Sequence, residues 1–338
     1  MTQKTENQKK YFSISLKKVI YSLESGIFSK LICGAANTNQ KQVERLALIY
    51  SLAGINVIDV SLETYISAKI GINKAKEIYK NKQDFFVNFN EPLIMVSLNA
   101  GDDPHFKKAQ INFNKCVNCL NCIKICSAKA LYQEFDILKF NIESCFGCGK
   151  CINFCEYNAI NLVNLEKDKI YNEFYNEIEA IEIHIGQHSV EVIEFFLKNQ
   201  LKLFSKINLV SFSISASLFS MSQLIEYANS ITKLTDKKVI IQLDGASMSA
   251  TNHSASDIQA IAAANILVNS KINAYIQISG GTNYLTRRHL ELFDLKISGI
   301  AYGTYARKII FPYIEEVNKD FLKNLKKYVN IAANLIAK

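Results

Sequence analysis

The sequence predicts a (β/α)8 TIM-like barrel interrupted once by a small cysteine-rich domain. Three observations predict it. Eight short β-rich runs end in polar or glycine residues. Amphipathic helical patterns separate most of them. Between the third and fourth runs lie about 75 residues that hold eight of the nine cysteines. A structureless loop of that length would argue against a barrel, whereas an inserted domain folded around its own cofactor would not.

The runs are "KLICGAAN" (30–37), "INVIDVS" (55–61), "PLIMVSLNAGDD" (92–103), "IEAIEIHIG" (178–186), "KINLVSFSIS" (206–215), "KKVIIQLDG" (237–245), "AYIQISGGTN" (274–283) and "ISGIAYGT" (297–304). They are apolar with little strict alternation, as expected for parallel strands covered on both faces. "QKQVERLALIYSLAG" carries Val43, Leu46, Ala47, Ile49 and Tyr50 at helical spacing and then Gly54 as a stop. "SQLIEYANSITKL" and "ASDIQAIAAANILVNS" have the same pattern. The predicted organisation is a helical lead-in over 1–29, barrel over 30–103, a cysteine domain over 104–166, and barrel again over 167–338. An open doubly wound sheet is the alternative.

Composition narrows the function classes. Hydrophobic residues make up 49% and charged residues 21%, so the chain is globular. The formal net charge is +8, but the lysines are scattered and form no basic stripe, so no nucleic-acid partner is expected. No apolar stretch reaches the roughly 20 residues of a transmembrane helix. The start, "MTQKTENQKKYFSISLKKVIYSL", has no apolar core of a secretory signal, so a cytoplasmic location is expected. Thiols stay reduced there, and clustered cysteines then point to metal rather than disulfides.

The two cysteine runs, "CVNCLNCIKIC" (116–126) and "CFGCGKCINFC" (145–155), share the spacing C-x2-C-x2-C-x3-C. That is the spacing of bacterial two-cluster ferredoxins, in which the fourth cysteine of each run ligates the other cluster. Cys116, Cys119, Cys122 and Cys155 are therefore expected to hold one [4Fe-4S] cluster, and Cys145, Cys148, Cys151 and Cys126 the other. Zinc is the alternative, but zinc sites rarely carry a third cysteine at the next x2 step. Gly147 and Gly149 would let backbone N–H groups approach the sulfurs. Ser127 and Glu156 stand where the ferredoxin pattern has proline, which leaves ligation intact but makes the potential less predictable. Cys33, the ninth cysteine, reads as a small buried residue, with a reactive thiol at the barrel mouth as the alternative.

Two glycine features end the seventh and eighth runs, "SGGTN" and "YGTYARK". In many barrels these loops bind phosphate, so Gly280, Gly281, Gly303 and Arg307 are candidates for an anion site that could take FMN. Tight turns alone would also account for the glycines. Asn37, Asp59, Asn99, Asp102, His184, Gln242 and Asp244 lie at or near other strand ends, and His184 with Asp244 or Asp59 is a candidate proton-transfer set. His105, His188, His253 and His289 have no metal-ligand spacing and read as surface or loop residues.

The parts in their order resemble the light-dependent period (LdpA) family of cyanobacteria, iron–sulfur proteins of the circadian-clock input. The segments that carry the resemblance are "KLICGAANTN", "LAGINVIDVS", "LIMVSLNAGDDPHFKKA", both cysteine runs, "IQLDGASMS", "ISGGTNYLT" and "GIAYGTYARK", spread over roughly residues 20–315. The resemblance implies a redox sensor that reports the state of photosynthetic electron transport to clock-input proteins, with peripheral contact to that machinery. A flavin-dependent oxidoreductase, with FMN in the barrel and the clusters relaying electrons to a soluble carrier, is the alternative. A passive electron relay or scaffold is a third.

Overall fold

The computed structural model describes residues 13–82, 86, 88–101, 103, 106–164, 175–186, 188–203, 206–245, 255–314 and 318–337. Twelve strands are formed among them: β1 (Phe28–Ile32), β2 (Val57–Val60), β3 (Leu93–Asn99), β4 (Lys107–Ile111), β5 (Leu131–Glu134), β6 (Ile137–Phe140), β7 (Ile160–Asn164), β8 (Ala180–His184), β9 (Leu209–Ser215), β10 (Lys238–Asp244), β11 (Tyr275–Ser279) and β12 (Gly299–Tyr302). The helices are α1 (Ile14–Glu24), α2 (Gln40–Ala53), α3 (Tyr65–Asn81), α4 (Asn121–Ile125), α5 (Lys150–Phe154), α6 (Val190–Leu203), α7 (Met221–Ile231), α8 (Ile258–Asn269), α9 (Thr286–Leu292), α10 (Thr304–Ile314) and α11 (Asn318–Ile336).

Eight parallel strands close into a barrel in the order β1-β12-β11-β10-β9-β8-β3-β2. Seven lie within their predicted runs, and β1 overlaps its own. β1 begins at Phe28, two residues earlier than expected, and ends at Ile32, before Gly34 turns the chain with φ of 107°. α2 is capped at its start by Asn39, whose side chain accepts from Gln42 N, and at its end by Gly54 in the left-handed region. The outward faces of the strands pack on the helices in one large core that includes Ile58, Ile183, Phe212 and Ile241.

Register fixes what fills the barrel. Residues paired across a parallel sheet share a face. Ser97 lies beside Glu182, Glu182 beside Ser211, and Gln242 beside Gln277. The interior is therefore layered. At the N-terminal end Phe28, Val57, Leu93, Ala180, Leu209 and Ile240 pack against Leu16, Val19 and Leu23 of α1, which closes the barrel floor. Gly299 makes room there, since a Cβ would sit 2.5 Å from the Phe28 ring. One layer up the interior turns polar: Lys30, Asp59, Ser97, Glu182, Ser211, Gln242 and Gln277 are all buried.

The inserted domain runs between β3 and β8. Its two halves repeat at an offset of 29 residues, the separation of Cys116 from Cys145. α4 and α5 start at that offset, as do the left-handed residues Asn118 and Gly147, Leu120 and Gly149, and Lys129 and Asn158. β4 pairs antiparallel with β7, and β5 with β6. The strand before one cysteine run thus pairs with the strand after the other, which interlocks the halves.

Candidate metal centre and its seat on the barrel

Each four-cysteine run supplies three thiols from a loop and a short helix, and the fourth from the residue after that helix. Cys126 and Cys155 leave α4 and α5 in extended conformation, which turns their side chains away from their own run. Cys116, Cys119, Cys122 and Cys155 line one hollow together with Phe154 and Tyr157. Burial raises the Cys122 thiol, and the charges of Cys116, Cys119 and Cys155 raise it further. On the other side burial and the charges of Cys148, Cys145 and Cys126 push Cys151 up to about 12. The thiols thus gather into two sets of four, each made of three from one run and one from the other.

The donor chemistry suits iron–sulfur clusters. Thiols crowded enough to oppose one another's ionisation are relieved when a cationic centre takes them as thiolates. Among the described residues no three of them converge closely enough for a single ion. A cubane accepts its four thiolates at four separate corners, further apart. Ala109 N and Gly147 N each approach the Cys145 sulfur at 3.4 Å, the backbone N–H···S pattern that tunes clusters. Gly147 and Gly149, with φ of 69° and 72°, hold the left-handed turns between ligands. Asn118 and Leu120 adopt the same turns in the first run without glycine.

The domain sits on the C-terminal end of the barrel by its second run. Lys108, 1% exposed, donates to Thr38 Oγ1 at 2.8 Å and to the carbonyls of Ile142 at 2.6 Å and Glu143 at 3.4 Å. Asn39 Nδ2 donates to Ser144 Oγ at 3.2 Å. Arg307, 5% exposed on α10, lies with its guanidinium carbon 4.3 Å from the centre of the Phe146 ring. The first site faces away, with Cys119, Phe113, Val117, Phe154 and Tyr157 exposed.

The expected anion site takes a different form. Gly280 and Gly281 are left-handed, but a Cβ on Gly281 would lie 2.2 Å from the Ser256 carbonyl oxygen. That glycine is required by the close approach of two loops, and Ser256 Oγ donates to its carbonyl at 2.6 Å. Gly303 has open space before it, with Ile32 Cβ 3.9 Å from a built Cβ. Arg307 Nη1 donates to Ile32 O at 2.8 Å and Nη2 to Thr304 Oγ1 at 3.2 Å, so the guanidinium is committed to the end of β1 and to Phe146.

Inside the barrel Lys30 Nζ pairs with Glu182 Oε2. Glu182 also accepts from Gln242 Nε2 at 2.9 Å and Ser211 Oγ at 3.2 Å, and Gln277 Nε2 donates to Gln242 Oε1 at 2.6 Å. Ser97 Oγ donates to Asp59 at 2.7 Å. Burial, then the Glu182 charge, pushes the Asp59 carboxyl up to about 7. His184 stands 3.4 Å from both Asp103 Oδ2 and Glu182 Oε1, with Phe106 edge-on at 5.1 Å. Burial pulls its pKa down, but Asp103 and Glu182 outweigh this and raise it to about 9. Asp244 accepts from Ser213 and from Gln242 Nε2. Asp103 and Glu182 thus lie close to His184, the Asp244 charge also raises its pKa, and its own charge lowers that of Asp59.

Other candidates have structural roles. Asn37 bonds Cys33 O and Gln42, and Asn99 caps a turn at Gly101 N. Cys33 is fully buried, and burial pushes its thiol up to about 12, as a core residue requires. His289 is no free surface group: its Nδ1 lies 2.9 Å from buried Asp257. His188 O accepts from Tyr227. Asp102, His105 and His253 lie outside the described residues. Sequence reasoning missed Lys30, Glu182, Gln277, Lys108 and Phe146. Strand parity could have found the first three, because Phe28, Lys30 and Ile32 share a face.

A closed eight-stranded parallel barrel carrying a 4Fe-4S dicluster domain after its third strand defines the class: an iron–sulfur barrel protein. The 4Fe-4S dicluster domain family matches residues 108–161. Residues 174–337 match the Light dependent period A C-terminal domain family, in agreement with the resemblance read from the sequence. Light dependent period A of Synechococcus elongatus is 34% identical over 97 residues, a match covering 28% of this chain and a quarter of that protein's length. Among solved structures, the YdjI aldolase of Escherichia coli K12 is 8% identical (94% of this chain, 96% of that one, TM-score 0.43). The geranylgeranylglyceryl phosphate synthase of Thermoplasma acidophilum is 10% identical (95% and 98%, TM-score 0.44). At that distance neither bears on function, and the strand order itself defines the barrel. No helix among the described residues is long and apolar enough to cross a membrane.

Proposed function

We propose that this chain is a cytoplasmic redox sensor that holds two [4Fe-4S] clusters and signals their state through the barrel. The observation that carries the reading is the crossed gathering of eight thiols, Cys116, Cys119, Cys122 and Cys155 against Cys145, Cys148, Cys151 and Cys126. Clusters supply one-electron chemistry. The chain's own residues hold the thiolates, point backbone N–H groups at Cys145 and fix the second site against the barrel through Lys108 and Arg307. The resemblance to the light-dependent period family read from the sequence implies photosynthetic electron transport as the source of the signal and clock-input proteins as the partners. A soluble electron carrier is the alternative partner. The flavin reading has less support, because Gly281 is packed on Ser256 and Arg307 is turned to Phe146.

The test has two arms. Anaerobically prepared protein should carry about eight irons and eight sulfides per chain. Cys126→Ser should disturb the cluster of the second run and Cys155→Ser that of the first. Tight zinc in place of iron, or disturbance confined to the variant's own run, would sink the assignment. Hydrogen exchange of the barrel should then differ between oxidised and reduced protein. Identical exchange would reduce the chain to a passive relay, and flavin released on denaturation would favour the oxidoreductase.

A further inference from the structure

We infer that Arg307 is a buried counter-charge of the second cluster, acting beside buried Lys108, and that it helps to set that cluster as the higher-potential, electron-holding site of the pair. The inference rests on the cluster assignment just proposed and concerns residues of this chain toward that group.

Arg307 is an unusual buried cation. Its side chain is 5% exposed, yet among the described residues it forms no ion pair with a carboxylate. Its two Nη groups have neutral acceptors, Ile32 O and Thr304 Oγ1. Its Nε is buried with no acceptor among the described residues. A buried charge in that state costs several kcal/mol unless something answers it. Burial lowers the guanidinium to about 10, which still leaves it charged at neutral pH. The nearby groups inside the barrel answer it only in part: the Cys33 thiol, at about 12, stays neutral, and the Asp59 carboxyl, at about 7, is only half ionised at neutral pH. The remaining direction is the inserted domain. The guanidinium lies over Phe146, which follows Cys145, and Cys148 is among the groups whose negative charge it feels.

A cluster on four thiolates is an anion, and one electron makes it one unit more negative with no bond broken. A fixed cation in a water-poor site stabilises the more negative state more, so it raises the potential. Among the described residues the first site shows no such neighbour, since Lys115 and Lys124 beside its ligands are exposed, where water and salt screen them, whereas buried Lys108 adds a second cation beside Cys145 of the second site. The four thiolates of the two sites are alike, so the asymmetry lies in what surrounds them. An electron delivered by an external one-electron donor at the exposed first site would then come to rest on the second, against the barrel.

The test is a mediated redox titration of the full iron-loaded chain, followed by electron paramagnetic resonance, for wild type, Arg307→Gln, Arg307→Lys and Cys119→Ser. Wild type should reduce in two steps, and Cys119→Ser should perturb only the lower-potential one. Arg307→Gln should retain wild-type iron and lower the equilibrium constant of the higher-potential step at least tenfold, about 59 mV for one electron. The other step should stay in place. Arg307→Lys keeps the charge without the fork and should recover most of the shift. Arg307→Gln with full iron and unmoved potentials would overturn the inference while leaving the cluster assignment intact. Should Arg307→Gln fail to load, Arg307→Met is titrated in its place with the same expected shift, and reduction of the first site before the second in wild type would overturn the inference in either case. Wild type without iron would remove the cluster assignment itself.

Discussion

Lys30 and Arg307 are both buried cations, and their surroundings differ in kind. Lys30 stands in the middle of the barrel with Glu182 as its ion-pair partner, and Glu182 is itself bonded to Gln242 and Ser211. Arg307 stands at the top of the barrel with two neutral acceptors and an orphaned Nε. The first charge is answered inside the protein, and the second is left for something the protein holds. A polar network closed on itself rigidifies a barrel. An open charge at the seam between barrel and inserted domain is where a change in cofactor charge can be felt.

The largest expected effect lies on the Lys30 side. Lys30→Met removes the cation and leaves Glu182 charged and buried, which should cost about 3–5 kcal/mol. Urea denaturation should show it directly, and a loss below about 1 kcal/mol would mean that Gln242 and Ser211 suffice for Glu182.

Asp59 sharpens the same contrast through pH. Its native carboxyl titrates near 7, against about 3.9 for an unfolded chain. Between roughly pH 4 and pH 7 the native state keeps a proton that the unfolded state has released, so this group's contribution falls as pH rises through that window. Asp59→Asn cannot titrate and keeps an acceptor for Ser97 Oγ. Its stability relative to wild type should therefore improve from pH 4.5 to pH 7.5. Parallel pH profiles for the two proteins would show that Lys30 and His184 already hold Asp59 ionised.

The difference between the two cations also marks what was legible in the sequence. The eight strands were, because parallel strands buried on both faces are unbroken apolar runs with polar ends. The 4Fe-4S dicluster domain was, because two identical four-cysteine spacings stand in one insertion. Lys30 was not, since one lysine in "FSKLI" looks like a solvent-facing residue until the register sets Phe28 on the barrel floor. Arg307 was seen, but its partner was not. Its spacing from Gly303 suggested a phosphate site, whereas its ring partner, Phe146, comes from the far side of an insertion that no local pattern connects to it.

The smallest expected effect is on the Arg307 side, and it depends on iron. Arg307→Met removes a charge that no carboxylate among the described residues answers, and it fills much of the same volume against Phe146. Replacing an unfavourably buried charge by an apolar side chain is often neutral. The lost bonds to Ile32 O and Thr304 Oγ1 pull the other way, each worth about 1 kcal/mol. After iron chelation the variant should therefore unfold within about 1 kcal/mol of wild type. With the clusters in place the guanidinium has its counter-charge, so the same substitution should cost more, and the second cluster should be lost to chelators faster than in wild type. The two measurements on one variant separate the charge from the packing. A loss of about 3 kcal/mol in the chelated chain would place Arg307 beside Lys30 as a structural cation and erase the contrast between them.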